Sequence, residues 1–256
     1  RSRMMKGKCN ITKCICMILA ALMGVLSACA FYDESAGDKD AVSFVEDSSV
    51  NDINNESWVS SEVLSSSVEE SYKTVLLENG DFVSVDLQNR NLNLSDIKDV
   101  VTDDDSITVT IPQFAIIDLD NDGESEVVLW IQINGILDYG FEILRYQEGT
   151  VYGYMLPYMA FMNLKMDGTF LFSDGAADFG IGKLKFSESG YVVDRLYYSE
   201  SKYDSDNELS VQYVANGDTC SEEEFNNIVG SQEEKSNVNW YGFTDDNVNS
   251  AFENMF

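Results

Sequence analysis

Residues 114–129 read FAIIDLDNDGESEVVL. An apolar run, Phe114 to Ile117, enters. Asp118, Asp120 and Asp122 alternate up to Gly123, Glu124 and Glu126 follow, and a second apolar run leaves through Val127 to Leu129. This spacing suits a hard cation such as Ca²⁺, which takes about six to eight oxygen ligands at about 2.3–2.6 Å. Three short carboxylates at loop positions 1, 3 and 5 aim at one point. Gly123 at position 6 allows the sharp turn that a Cβ obstructs. The backbone carbonyl of Glu124 falls at position 7, and Glu126 at position 9 closes the shell directly or through water. The expected ligand set is therefore Asp118, Asp120, Asp122, Glu124 and Glu126, with Ca²⁺ as a structural cofactor. Any acidic turn would also select Asp, Asn and Gly. The metal reading is preferred because crowded acids repel one another unless something neutralises them.

Position 12 of an EF-hand loop is a bidentate Glu, and here it is Leu129. The D-x-D-x-D-G-x-x-E form instead resembles the short calcium loops of FG-GAP and similar extracellular β repeats, in which a strand follows the loop. Val127-Val-Leu-Trp-Ile131 fits a strand, being β-branched and apolar without helical period. On this reading the cation staples two strands, with a weak extracytoplasmic affinity, Kd on the order of 10⁻⁴–10⁻³ M.

Outward from the loop, Ile107, Val109 and Ile111 alternate with Thr108 and Thr110, a half-buried strand. Further upstream, Val68, Tyr72, Val75 and Leu76 recur at helical spacing and Gly80 is placed as a helix-ending C′ glycine. Phe82–Val85 reads as a short strand, and Ser95 as the N-cap of a short helix to Val101. Downstream, turn signals at Glu148-Gly149, Asp167-Gly168 and Gly190 separate strand-like runs, and Leu209–Val214 is one more strand. Ser221-Glu-Glu-Glu224 opens a helix to about Val229, and a last helix starts at Thr244 and uses Val248 and Phe252. The expected fold class is α+β: an antiparallel sheet with an N-terminal helix, C-terminal helices and one calcium-type loop between strands.

The 256 residues carry a net charge of −29. Residues 1–28 hold five basic residues and no acid, so the rest carries five more negative charges, −34. That argues against nucleic acid and anionic membrane surfaces as partners. The chain has no histidine, which excludes Ser-His-Asp and Cys-His nucleophile pairs and histidine zinc sites. Of five cysteines, Cys9, Cys14 and Cys16 precede Cys29 and Cys220, and no disulfide framework is implied.

Residues 1–28 read as a lipoprotein signal peptide. A basic region ends at Lys13, and Cys14–Ala28 is an apolar run of 15 residues, short of the roughly 20 that span a bilayer. Leu26-Ser27-Ala28-Cys29 resembles a bacterial lipobox, which makes Cys29 the lipidated N-terminus. Residues 29–60 read as a disordered acidic tether, with eleven acids against one base between residues 30 and 70. Residues 61–256 are expected to form one globular domain.

Other constellations read as structural. The glycines of Ser173–Gly182 match no phosphate-binding spacing. Asp204-Ser-Asp206-Asn-Glu208 lacks the position-6 glycine, and Asp103–Asp105 reads as a solvated turn. Trp130, Tyr139, Phe141, Tyr146, Tyr152, Tyr154 and Tyr158 read as core and cross-strand pairs rather than a sugar-stacking strip. Cys220 is an ordinary thiol despite its place before a helix N-terminus.

The order of lipobox, acidic tether, helix, FAIIDLDNDGESEVVL, LKMDGTFLFSDGAADFGIGKLKF and SEEEFNNIVGSQEEKSNVNWYGF resembles an uncharacterised family of Gram-positive bacterial surface lipoproteins. The resemblance implies attachment to the outer face of the cell membrane through lipid on Cys29, but no activity. The expected function is a lipid-anchored extracytoplasmic binding or structural module, with a cell-surface glycan or protein as partner and no nucleic acid. The alternative is a carbohydrate- or cell-wall-active hydrolase working with carboxylates alone. A solute-binding lipoprotein is disfavoured because no two-lobed α/β alternation is visible.

Overall fold

A strand apolar on every residue must bury both of its faces, and the Val127–Ile131 run is such a strand. The computed structural model describes residues 55–187, 190–203 and 208–253, all in the unit from Ile53 to Phe256. The signal-peptide, Cys29 and Asp204–Asn207 expectations, and all but the last six residues of the tether, lie outside the described residues.

Along the chain, helix α1 (Asn55–Glu78) is followed by strands β1 (Phe82–Ser84) and β2 (Arg90–Leu92), then by the short helix α2 (Ile97–Val101). The long strands β3 (Val109–Ile117), β4 (Glu126–Ile133), β5 (Leu137–Gln147) and β6 (Thr150–Pro157) come next. After them run β7 (Phe170–Ser173), β8 (Phe179–Ser187), β9 (Gly190–Tyr203), β10 (Leu209–Ala215) and β11 (Asp218–Cys220). Helix α3 (Glu222–Glu234), strand β12 (Tyr241–Gly242) and helix α4 (Asp245–Glu253) close the described chain.

These strands form two sheets. The larger has the order β12-β3-β4-β5-β6-β1-β2 and the smaller β11-β10-β9-β8-β7. Among the described residues strand exceeds helix, 46% against 25%, so the expected α+β class is overturned: the fold is a mostly-β sandwich. The reason lies in β3–β6. Phe114, Val127, Leu129, Ile131 and Leu144 point to one face of the large sheet, where Tyr72, Val75 and Leu76 of α1, Ile97 of α2 and Val248 and Phe252 of α4 cover them. Ala115, Ile117, Val128, Phe141 and Ile143 point to the other face, where Phe170, Phe172 and Leu184 of the small sheet cover them. Helices alone cover only the first face. The second needs another sheet, which the chain enters through the 3₁₀ turn Tyr158–Ala160 after Pro157.

Several local expectations hold and others shift. The hairpin turn at Glu148-Gly149 joins β5 to β6, and β8 pairs with β9 in antiparallel register up to Ser187 opposite Gly190. The third hairpin is reduced to a single bridge, Met162 with Leu171. Helix α1 ends on Asn79, which takes the left-handed conformation (φ 53°), rather than on Gly80. Asn93 caps the 3₁₀ turn Leu94–Asp96 that leads into α2, its side chain accepting from the Ser95 amide while Asp96 accepts from the Asn93 amide, so Ser95 is not the cap. Ser221 caps α3 as expected, and the helix continues through Gly230 to Glu234. Thr244 opens α4 and buries Val248 and Phe252.

Candidate metal centre

Strand pairing closes the loop before any metal is considered. Ile117, the last residue of β3, stands opposite Glu126, the first of β4. Leu119 is buried in the inter-sheet core and pins the loop from below. Asp118 organises the turn, its Oδ1 accepting from the Asp122 amide at 3.1 Å and its Oδ2 from the Gly123 amide at 3.0 Å. Asn121 and Gly123 take positive φ, 62° and 94°, and at Gly123 that conformation explains the residue.

The loop brings three of the four expected carboxylates together. Asp118, Asp120 and Glu126 each offer one oxygen, all within 4.8 Å of one another. That is about twice the ~2.4 Å distance of a Ca–O bond, so one ion could touch all three. Asp120 Oδ1 and Glu126 Oε1 are buried and have no hydrogen-bond partner. The other oxygen of Glu126 accepts from the Leu119 amide at 2.9 Å. Asp122 turns elsewhere: Oδ1 accepts from the Glu124 amide at 2.8 Å and Oδ2 pairs with Arg145 Nη2 at 2.8 Å. The Glu124 side chain is exposed.

Arg145 belongs to this acidic cluster, although the loop pattern does not reveal it. It projects from β5 over the Phe186 ring at 4.8 Å, and its Nε lies 3.5 Å from Glu126 Oε1. That approach is an ion pair without hydrogen-bond geometry, so neither atom has a hydrogen bond. Burial pushes the Glu126 carboxyl up to about 8; the charges of Asp120 and Asp122 add to this and outweigh the Leu119 amide and Arg145. A bound divalent cation reverses that balance, since it favours the ionised form of every acid around it. The donor set is all oxygen, with no nitrogen or sulfur, which is the chemistry of Ca²⁺ or Mg²⁺ rather than of zinc.

No family model, curated protein or solved structure matches the chain.

The remaining constellations are structural in the described residues. Trp130 and Phe141 are cross-strand partners with ring centroids 5.5 Å apart, and Tyr158 and Trp240 join the same cluster. The Ser173–Gly182 segment is the turn into β8, closed by the Asp174 amide donating to the Asp178 carbonyl at 2.8 Å. Asp104 accepts from the Ser106 amide and hydroxyl, making the Asp103–Asp105 stretch a turn. Cys220 is a free thiol, pushed upward by burial and by Glu224 rather than activated. No described helix is long and apolar enough to cross a membrane.

Proposed function

We propose that the chain is a lipid-anchored extracytoplasmic binding or structural module whose β3–β4 loop is held by one Ca²⁺. The anchoring half of this reading rests on the sequence alone, on the basic region, apolar run and Leu26-Ser27-Ala28-Cys29 box. The calcium half rests on one observation: Asp120 Oδ1 and Glu126 Oε1 are buried without a hydrogen bond beside Asp118. Buried acceptors left unpaired cost about 1–3 kcal/mol each, and more when charged. A hard cation at that point converts the cost into stabilisation. Asp118, Asp120 and Glu126 supply the carboxylates, and backbone carbonyls and water complete the shell.

In this role the ion is a staple. It fixes the turn of the β3–β4 hairpin within the large sheet. The high negative charge favours a basic or cation-bridged partner at the cell surface. The test is calorimetric titration of the chelator-treated full chain with Ca²⁺, with membrane fractionation of Cys29→Ala alongside. Saturable binding at one site and release of the variant from the membrane are expected. No heat on titration removes the calcium half, and membrane retention of Cys29→Ala removes the anchor.

A further inference from the structure

The large sheet carries a second buried acid on its opposite face. Glu142 lies in the middle of β5, between Leu129 of β4 and Met155 of β6, and is 2% exposed. Strand alternation places it with Leu144 on the helix-covered face, whereas Glu126 and Arg145 share the face of Val128 and Ile143. Glu142 Oε1 is buried with no hydrogen-bond partner. It fits only because residue 153 is glycine: a Cβ there would fall 2.3 Å from that oxygen. A core that needed only packing would carry an apolar side chain in its place.

The carboxyl lines a cavity of about 260 Å³ whose walls include Leu87, Leu92, Ile97, Val100 and Met155. Asp86, an exposed residue held by the Met155 amide at 2.7 Å, lines it too. No lysine or arginine does. Burial, and then the charge of Asp86, push Glu142 up to about 8, and no neighbouring group opposes them. The cavity therefore offers two carboxyls, the Ser84 hydroxyl, otherwise apolar walls and no base.

We propose that this cavity binds a small organic ammonium ion, its nitrogen between Glu142 and Asp86 and its apolar body against Leu87, Leu92, Ile97 and Val100. An ammonium group supplies the charge-assisted hydrogen bond that Glu142 Oε1 lacks and neutralises the Asp86 charge with it. A metal ion is a poorer occupant, because apolar walls do not furnish six oxygens. An anion meets two acids and no base. A neutral alcohol satisfies one acceptor and leaves the charge at Asp86 untouched.

The test titrates the full chain, at saturating Ca²⁺, with hexylammonium, hexan-1-ol and hexanoate by calorimetry. Hexylammonium is expected to bind about tenfold or more tightly than hexan-1-ol, with no binding of hexanoate. Glu142→Gln keeps the shape and should weaken hexylammonium by about tenfold, the worth of a hydrogen bond to a charged group. Asp86→Asn should weaken it in the same direction, and Val100→Trp, which fills the cavity, should abolish binding. Melting curves verify that each variant is folded. The proposal falls if hexylammonium does not bind, if the alcohol binds equally or better, or if folded Glu142→Gln binds hexylammonium as the wild type does.

Discussion

Arg145 Nη2 lies 2.8 Å from Asp122 Oδ2, so the third aspartate of the acidic loop is neutralised from within the protein. The guanidinium comes from β5, two strands away from β3, and is held in place by the Phe186 ring. This splits the acids of the loop into two groups. Asp118, Asp120 and Glu126 converge on one point, while Asp122 faces a resident base.

That division separates the effects of two substitutions. Asp120→Ala removes a converging carboxylate and should abolish the rise in melting temperature that Ca²⁺ produces. Asp122→Ala should keep most of that rise, losing stability chiefly through Arg145. For the wild type, Ca²⁺ at about a hundred times Kd is worth about 2.7 kcal/mol. Thermal melts in Ca²⁺ and in chelator measure all three. Equal calcium shifts in Asp120→Ala and the wild type would contradict the assignment.

Arg145→Ala leaves Glu126, which is fully buried, and Asp122 without their base. Breaking such a buried pair costs about 3 kcal/mol. The loss should be larger in chelator than in Ca²⁺, because the ion can neutralise Glu126 in place of Arg145. Urea unfolding under the two conditions gives the difference. A loss independent of Ca²⁺ would mean that Arg145 and the ion do not share a site.

Much of this architecture is legible in the residues, and its limits have physical causes. The loop, the flanking strands and the Val248–Phe252 helix follow from local patterns of period two or 3.6, and the structure has them. The division into two sheets does not follow, because hairpin signals report which strands are neighbours and not where the chain leaves a sheet. The all-apolar Val127–Ile131 run was the available clue, since it requires a cover on both faces. Arg145, Tyr72 and Glu142 were not legible as site residues. Each acts across 19 or more residues of sequence or beneath the surface, where spacing carries no information. The loop pattern places Asp122 at a ligand position, whereas in the structure a long-range base decides its orientation.

Tyr72 connects the helix layer to this hairpin. Its hydroxyl donates to the Ser125 carbonyl at 3.0 Å and accepts from the Tyr146 amide at 2.8 Å. Its burial is nearly complete, and burial above all pushes its ionisation far above the ordinary tyrosine range, so it stays a neutral donor. Tyr72→Phe keeps the ring against Phe252 but leaves two backbone groups unpaired, at a cost of about 1–3 kcal/mol. Hydrogen exchange should show the Tyr146 amide losing protection before its neighbours in β5. Unchanged stability and exchange would mean that water replaces the hydroxyl at no cost.

Glu142 makes stability depend on pH in a calculable direction. Its carboxyl ionises near 4.5 when unperturbed and near about 8 in the fold, where burial and the Asp86 charge disfavour the anion. Below pH 4.5 both states hold the proton and the buried carboxyl is neutral. As pH rises from 4.5 to about 8, the unfolded chain ionises while the folded one keeps its proton, so stability falls. Above about 8 both are ionised and the loss is complete, on the order of a few kcal/mol. Glu142→Gln has no proton to lose. Its advantage over the wild type should therefore grow from near zero at pH 4 to a few kcal/mol at pH 8.5. Glu126 is also raised, but it is present in both proteins and cancels in the comparison. Urea unfolding of the two proteins at fixed Ca²⁺, between pH 4 and pH 8.5, measures that difference. A constant difference would show that Glu142 ionises as easily inside the fold as outside it.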